Sequence, residues 1–178
     1  FIVQAIRPNG MLDFLPVGGW VINNVPAHTV IIKTEDNKKI KGVTASTPPH
    51  FMSAAEKDKP LDFEDLVVDV GTSSKEETLA LGINIGDPIV PDVAFETLHN
   101  QEILLGKAFD CRIGCACLLE VMKDFKAEAE NSQVALDAVL TTQEEVGIRG
   151  AEITARQTRA DLAIVFEGCP ADDTFTPD

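Results

Sequence analysis

The fold of this chain is constrained most by one segment in which an apolar run, an acidic turn and a helical pattern follow one another. Residues 133–140 (QVALDAVL) carry apolar side chains on both faces, which predicts a central strand that is covered on both sides and buried. Glu144 and Glu145 follow this run, and residues 150–157 (GAEITARQ) have a helical pattern. In open α/β sheets, ligands bind at the carboxyl ends of strands, so both carboxylates are candidates for chemistry. The alternative is a pair of solvated turn acids, which the dipole of a nearby helix N-terminus favours.

The second half of the chain repeats this alternation of strand and helix. Residues 102–109 are extended, a helix with apolar residues at helical spacing begins at Asp110, and a further apolar run covers 162–166. With the strand and helix described above, these elements give the order βαβαβ. This order predicts an α/β domain in which helices pack against a largely buried sheet.

The first half has a different pattern, in which short extended runs alternate with tight turns. One helix is predicted over residues 71–82, where Ser73 and Glu76 form a capping box and Gly82 ends the helix. Strands are predicted over residues 1–6, 11–17, 29–34, 39–45 and 66–70. Residues 7–99 are therefore predicted to form a small β-rich domain, with a boundary near Asn100.

Each predicted strand of the second half is followed by a carboxylate. These are Asp110, the pair Glu144 and Glu145, and Glu167. If the strands lie in one sheet, the four acids converge, and they cannot all stay ionised and unpaired. One or two divalent cations would relieve the repulsion and leave one carboxylate as a general base. Taken singly, Asp110 is also suited to a helix N-cap, and Glu167 to a solvated loop with Asp172 and Asp173.

The charge of the chain excludes two classes of partner. The formal net charge is -14, the sequence pI is about 4.5, and the largest basic cluster is Lys38, Lys39 and Lys41. Binding to nucleic acid or to an anionic membrane requires a larger basic patch, so we expect neither partner. The sequence also contains no apolar run of the length that a membrane span needs.

The cysteines do not follow a zinc-binding pattern. Cys111, Cys115, Cys117 and Cys169 lack the spacing of a zinc finger or ribbon, and three of them fall in one predicted helix. We therefore expect buried, reduced thiols and a cytoplasmic protein. The chain starts in a strand pattern without Met, which suggests an internal piece of a longer protein.

Several motifs in a fixed order resemble one known family. The stretches are 14–20 (FLPVGGW), 48–50 (PPH) with 57–59 (KDK), 69–77 (DVGTSSKEE), 106–115 (GKAFDCRIGC) and 141–151 (TTQEEVGIRGA). Over essentially all 178 residues, the chain resembles the M42 metallo-aminopeptidases, the group of glutamyl, deblocking and tetrahedral aminopeptidases. The stretch 141–151 is the most specific of these motifs.

The resemblance implies a role for each acid. Asp110 matches the aspartate that bridges two metal ions, and Glu144 matches the general base that takes a proton from the bridging water. Glu145 matches a ligand of one ion and Glu167 a ligand of the other. The implied cofactors are two divalent ions, zinc or cobalt, and the implied reaction is removal of N-terminal residues from peptide substrates by metal-activated water.

The resemblance also implies a domain organisation. Residues 1–6 and 100–178 would belong to the catalytic domain of a dinuclear-metal aminopeptidase. Residues 7–99 would form its inserted β-rich dimerisation domain. Members of the family assemble as homodimers or as dodecamers, so a homo-oligomer is expected.

Two departures from the family pattern bear on the site. Cys111 stands where the family usually has a second aspartate, next to a strained peptide bond. His28, His50 and His99 match neither of the two histidine ligands of the family, and we interpret all three as ordinary surface or loop residues. Three of five expected ligands are present, so the chain as written is not expected to build a complete dinuclear site.

Two other functions stay open from the sequence. The first is a truncated, non-catalytic oligomerisation module in which the carboxylates have no chemical role. The second is glycoside hydrolysis, because some M42-like proteins carry an endoglucanase label and paired carboxylates perform that reaction. Adjacent Glu144 and Glu145 do not supply the required carboxylate separation, and one Trp with no Tyr offers little for stacking sugar rings.

Overall fold

The chain divides into two compact units, Phe1–Leu105 and Gly106–Asp178. The computed structural model describes residues 1–171, apart from the side chains of Glu56 and Glu130. Asp172 and Asp173, which the sequence places near Glu167, lie outside the described residues. Each unit is described here by itself.

The first unit is built on a six-stranded antiparallel sheet. The strands are β1 (Ile2–Ile6), β2 (Leu12–Leu15), β3 (Thr29–Lys33), β4 (Lys39–Ser46), β5 (Leu66–Asp69) and β6 (Ile89–Pro91). Their order across the sheet is β1-β2-β5-β4-β3-β6. Every predicted strand of this half is present, with ends that differ by at most two residues from the pattern-based bounds.

The two ends of this sheet meet. An isolated antiparallel bridge joins Ile2 to Pro88, next to the first residue of β6. The Ile89 amide donates a hydrogen bond of 2.9 Å to the Phe1 carbonyl, and the Phe1 ammonium donates one of 3.0 Å to the Ile89 carbonyl. The sheet is therefore curled into a nearly closed ring of strands.

The core of the first unit follows from the alternation of side chains along these strands. In β3, Val30 and Ile32 point inward and are buried, whereas Thr29 and Lys33 are exposed. The buried hydrophobic cluster comprises Phe1, Val3, Ile6, Leu12, Phe14, Val25, Val30, Ile32, Leu66, Val68, Ile83 and Ile89. These side chains fill the interior of the ring of strands.

The short helix of the first unit begins one residue later than predicted. Helix α2 spans Lys75–Ala80, and its N-cap is Ser74, whose side chain accepts a hydrogen bond of 3.2 Å from the Glu77 amide. The predicted pair Ser73 and Glu76 was therefore wrong by one position, because the cap is the residue that keeps extended backbone angles before the first turn. The predicted stop is confirmed, since Gly82 has a φ of +92°.

The other elements of the described residues are helices of different lengths, a small second sheet and several 3-10 turns. Helix α1 spans Ala54–Lys57, α3 spans Phe109–Glu128 and α4 spans Arg149–Gln157. Strands β7 (Glu96–Thr97) and β8 (Leu104–Leu105) pair with each other in a separate two-stranded sheet. Single 3-10 turns occupy Ile22–Asn24, Pro49–Phe51, Phe63–Asp65 and Ala129–Asn131.

The prediction that residues 133–140 form a buried strand is wrong for the described part of the chain. Residues 133–140 are exposed throughout and have no strand assignment. Residues 162–166 likewise have none, and Val165 is 85% exposed. Among residues 1–171, no segment pairs with either run, so the predicted βαβαβ sheet is not formed there. An apolar run becomes a buried strand only where other elements cover it, and the local pattern cannot supply those elements.

The cysteines are free but mostly not buried. Cys115, Cys117 and Cys169 are exposed and Cys111 is half-buried, so the expectation of buried thiols was wrong for three of them. Helix α3 has exposed positions on most of its surface, which leaves two of these thiols open to solvent.

No helix in the described range combines the length and the apolar character that crossing a membrane demands.

Candidate metal centre

The start of helix α3 has an irregular backbone that sets the direction of two side chains. Ala108 has a left-handed φ of 58°, and the peptide bond between Asp110 and Cys111 is cis. Asp110 and Cys111 have non-helical angles, so regular helix follows only after them. The helix has no side-chain cap at Ala108, the residue before its first assigned position. Whether Asp110 caps the regular helix that follows Cys111 stays a prediction.

Residues 166–168 pass close to this helix start. A hydrogen bond of 3.7 Å runs from the Cys111 thiol to the Phe166 carbonyl. Gly114 is buried at this contact, and a Cβ there would lie 2.7 Å from the Phe166 carbonyl oxygen and 2.7 Å from the Cys111 Sγ. The lack of a side chain at Gly114 is what allows Phe166 and the helix to approach.

This approach brings together three potential metal ligands. Asp110, Cys111 and Glu167 each offer one ligand atom, and the three atoms lie within 4.8 Å of one another. Asp110 and Glu167 are exposed and Cys111 is half-buried. We call this set the Asp110–Cys111–Glu167 cluster. Of the four acids singled out by the sequence, two are therefore in the cluster.

Hydrogen bonds within the cluster move the pKa of two members in opposite directions. A hydrogen bond between the Cys111 thiol and the Glu167 carboxylate raises the pKa of Cys111, and partial burial adds to this effect. The same hydrogen bond lowers the pKa of Glu167, and the Gly168 amide, which donates to Glu167 Oε1 at 2.7 Å, lowers it further. Both shifts favour an anionic carboxylate next to a protonated thiol.

The chemistry of the donor set fits a divalent transition metal. Carboxylate oxygen alone suits magnesium, calcium or manganese, whereas a thiol among the donors favours zinc or cobalt. Two anionic carboxylates also provide the negative charge that a divalent ion requires. The residues of the cluster are therefore compatible with the metals that the family resemblance implies.

Glu144 and Glu145 lie in a turn with defined backbone hydrogen bonds. The Glu144 carbonyl accepts hydrogen bonds from the Gly147 amide at 3.0 Å and from the Ile148 amide at 2.9 Å. Both glutamates are exposed, and neither belongs to a group of three close ligands among the described residues. The expected convergence of all four acids is thus found for Asp110 and Glu167 only.

Gly150 fixes the base of this turn. Its amide donates a hydrogen bond of 3.0 Å to the Thr142 carbonyl, and a Cβ on Gly150 would lie only 2.4 Å from that carbonyl oxygen. Helix α4 therefore starts in direct backbone contact with the residue that precedes the turn. The segment that carries Glu144 is held at both ends by backbone contacts.

Cys111 is the member of the cluster that the sequence reasoning missed as a ligand. Its spacing to the other cysteines fits no zinc motif, and it stands where the family usually has a second aspartate that was not expected to bind metal. The available signal was its position directly after Asp110, at the carboxyl end of the predicted strand 102–109. His28, His50 and His99 are exposed and contribute to no cluster of this kind in the described residues.

The family model described as M42 glutamyl aminopeptidase matches residues 1–178. Among curated relatives, the glutamyl aminopeptidase of Lactococcus lactis subsp. cremoris (strain MG1363) is 32% identical over 179 aligned positions, which cover 100% of this chain and 50% of that protein. The chain spans about half the length of the curated relatives it matches.

Solved structures give the same match at the level of the fold. The TET aminopeptidase from the marine sediment archaeon Thaumarchaeota archaeon SCGC AB-539-E09 superposes with a TM-score of 0.85 at 36% identity, over 99% of this chain and 50% of that one. The TET1 peptidase of Pyrococcus horikoshii, described as assembling into a tetrahedron or a large octahedral shell, has a TM-score of 0.68 at 32% identity, over 86% of this chain and 45% of that one. The mixed α/β architecture with a curled sheet is therefore shared with these aminopeptidases.

Proposed function

The chain belongs to the M42 glutamyl aminopeptidase family, and from this premise we propose that it is part of a metal-dependent aminopeptidase that removes N-terminal residues from peptides. The observation that carries the proposal is the Asp110–Cys111–Glu167 cluster, whose ligand atoms lie within 4.8 Å of one another. Two of its members occupy positions that match metal ligands of the family. The similarity to aminopeptidases over the whole chain supports the same function.

The proposed metal ligands are Asp110, Glu145 and Glu167. Asp110, Glu145 and Glu167 would hold two divalent ions, zinc or cobalt, with Asp110 in the position that matches the shared ligand of the family. When bound, such ions lower the pKa of water and polarise a peptide carbonyl. The irregular backbone at Asp110 and the contact of Gly114 with Phe166 support this role, because they hold two of the three carboxylates together.

Glu144 is proposed as the general base. Its carboxylate would accept a proton from the attacking water and return it to the amine that leaves. Its exposed position lets the side chain reach a substrate, and the hydrogen-bonded turn that follows it limits movement of the backbone. A general base of this kind contributes roughly 10²–10⁴-fold to the rate.

The test of this function compares Glu144→Gln with a matched variant. The purified protein is loaded with zinc or cobalt, its intact mass and metal content are measured, and release of the first residue is followed on peptides with free and with acetylated N-termini. We expect Glu144→Gln to lower kcat by roughly 10²–10⁴-fold with unchanged metal content. Glu152→Gln is the control, because Glu152 is an exposed helix acid whose side chain pairs with Arg156.

Two results would contradict the proposal. One is a full-length protein containing this chain that carries two metal ions per subunit but releases no residue from any peptide with a free N-terminus. The other is a Glu144→Gln variant that retains the rate of the Glu152→Gln control. A protein that binds no metal and only self-associates would instead agree with a non-catalytic oligomerisation module.

We further propose the domain roles that the family resemblance implies. Residues 100–178 are proposed to form part of the catalytic domain, and residues 7–99 the inserted dimerisation domain of a homo-oligomer. The sequence also assigns residues 1–6 to the catalytic domain, but β1 pairs with β2 in the sheet of the first unit. The assembly of the Pyrococcus horikoshii TET1 peptidase into a tetrahedron or a large octahedral shell supports a homo-oligomer. The native mass of the same metal-loaded protein tests this assignment, since a monomer would contradict it.

A further inference from the structure

The Asp110–Cys111–Glu167 cluster contains a sulfur atom that the proposed ligand set does not use. The Cys111 Sγ lies within 4.8 Å of one carboxylate oxygen of Asp110 and of one of Glu167. The carboxylates are exposed and the thiol is half-buried. An ion bound by the two carboxylates at these oxygen atoms would lie close to the thiol.

The distances are compatible with one ion shared by all three groups. Zinc binds thiolate sulfur at about 2.3 Å and carboxylate oxygen at about 2.0–2.2 Å in tetrahedral geometry, so two donors of one ion are separated by roughly 3.4–3.6 Å. The three ligand atoms lie within 4.8 Å of one another, so they have to approach each other by at most about 1.4 Å. Rotation of the two exposed carboxylate side chains can supply this movement.

The chemical type of the third donor has a consequence for metal choice. A site with oxygen donors alone has only a weak preference for zinc over manganese. A thiolate donor adds affinity for the softer ions zinc, cobalt and cadmium. A second carboxylate in place of Cys111 would offer a harder oxygen donor. The cysteine therefore changes the preference of the site and not only its affinity.

We propose that Cys111 is a direct sulfur ligand of the metal ion bound by Asp110 and Glu167, and that it biases this site toward thiophilic ions. The inference rests on the proposed metal-dependent function and adds a ligand to it. On binding, the sulfur–hydrogen bond breaks, a sulfur–metal bond forms and the proton passes to solvent, with no change in oxidation state. Metal affinity then falls with decreasing pH, because protons compete for the sulfur.

If Cys111 has only a structural role, the expected results of metal binding and of substitution are different. In the structure, the thiol donates a hydrogen bond to the Phe166 carbonyl and interacts with the Glu167 carboxylate. If Cys111 only positions these groups, the bound metal has no sulfur donor. Cys111→Ser would then preserve most of the function, because a hydroxyl can donate the same hydrogen bonds.

Cobalt spectroscopy separates these two roles. The protein is titrated with Co²⁺ under nitrogen with a phosphine reductant and no added thiol, and the near-ultraviolet absorption is recorded. A thiolate ligand gives an intense sulfur-to-cobalt charge-transfer band. We expect this band in the unmodified protein and in the triple variant Cys115→Ser, Cys117→Ser, Cys169→Ser, where Cys111 is the one cysteine left of the four.

The expected effect of Cys111→Ser is loss of the band. Affinity for Cd²⁺ or Zn²⁺ should fall by about tenfold or more. Even the loss of a residue that only hydrogen-bonds to a metal ligand lowers metal affinity by roughly 10–100-fold. Affinity for Mn²⁺ should change far less, since this ion prefers oxygen donors. A band that persists in Cys111→Ser, a cobalt-loaded protein without a band, or a protein that binds no cobalt would each overturn the proposal.

The outcome is independent of peptide hydrolysis. A protein that shows the cobalt band but cleaves no peptide supports the sulfur ligand and contradicts the proposed aminopeptidase. A cobalt-loaded protein that cleaves peptides without the band contradicts the sulfur ligand alone. Cys111→Asp adds a further check, because an oxygen donor there should keep manganese affinity and remove the band.

Discussion

Gly114 is a residue whose missing side chain shapes the candidate metal centre. A Cβ at this position would lie 2.7 Å from the Phe166 carbonyl oxygen, and backbone atoms cannot move aside as readily as the end of a side chain. Phe166 directly precedes Glu167, so displacement of this backbone also displaces the carboxylate of the cluster. The geometry of the cluster therefore depends on a position that binds nothing itself.

We predict that Gly114→Ala weakens metal binding. Within a helix, replacing Gly by Ala is favourable by about 1 kcal/mol, but the added methyl group overpacks the contact at a cost of about 1–3 kcal/mol. The expected result is a reduced affinity for Co²⁺, measured by titration, with little change in helix content by circular dichroism. Gly19→Ala is the matched control, because no atom lies within 4 Å of a Cβ there. Unchanged affinity in Gly114→Ala would show that Phe166 can shift without cost.

At the scale of single residues, the sequence pointed to part of the site. Asp110 and Glu167 were expected to be close because both follow predicted strands, and they share the cluster. Their roles as metal ligands stay predictions, as do those of Glu144 and Glu145. Cys111 was missed as a donor because sequence motifs for metal sites count repeated cysteines, whereas here one thiol supplements two acids.

Among the elements, helix α2 shows how far a local pattern can be used. Two serines precede the helix, and either can be aligned with a glutamate three positions later. In the structure, the Ser74 side chain accepts from the Glu77 amide, and the Glu77 carboxylate accepts from the Ser73 amide at 2.7 Å. The pattern identified the helix but not the register of its first turn.

We predict that Ser74→Ala lowers the free energy of unfolding by about 1 kcal/mol, the usual contribution of an N-cap hydroxyl. Ser73→Ala is the control, because the contact made at that position uses the backbone amide, which alanine retains. Urea unfolding followed by Trp20 fluorescence measures both variants. A larger loss in Ser73→Ala than in Ser74→Ala would show that the cap lies where the sequence pattern placed it.

Burial was the property of elements that the sequence predicted least well. Residues 133–140 and 162–166 have strand-like composition, but they have no strand assignment and no pairing partner in the described part of the chain. Pairing depends on segments that lie far away in the sequence or outside it, so composition alone cannot establish it. By contrast, β3 and β4 pair with each other through a short turn and were predicted correctly.

On the scale of the whole molecule, burial is distributed unequally between the two units. Within residues 1–171, every buried hydrophobic side chain belongs to Phe1–Leu105. The match with TET aminopeptidases nevertheless covers 99% of the chain, so both units share the fold of that family. The order of motifs, which the whole sequence provides, predicted the family where local patterns did not predict packing.

We predict that amide hydrogen exchange is slow in the buried strands of the first unit and fast in the exposed segments of the second unit. Amides of β3 and β5 should exchange about 10³-fold or more slowly than those of residues 134–140 and 162–166, because protection follows buried, hydrogen-bonded structure. Mass spectrometry of the intact chain with peptic fragments measures this difference, and helix α3 provides an internally hydrogen-bonded reference. Strong protection of residues 134–140 would instead reveal that another segment or another copy pairs with them.

The contact of Phe1 with Ile89 has a consequence for the way the protein is made. These residues are separated by 88 positions, and their hydrogen bonds complete the curled sheet. During synthesis on the ribosome, β1 emerges and can pair with β2 long before β6 exists. One edge of β1 therefore stays open in the nascent chain, and an open strand edge can bind other chains. The edge of β1 that pairs with Ile89 stays without this partner until Ile89 has left the exit tunnel.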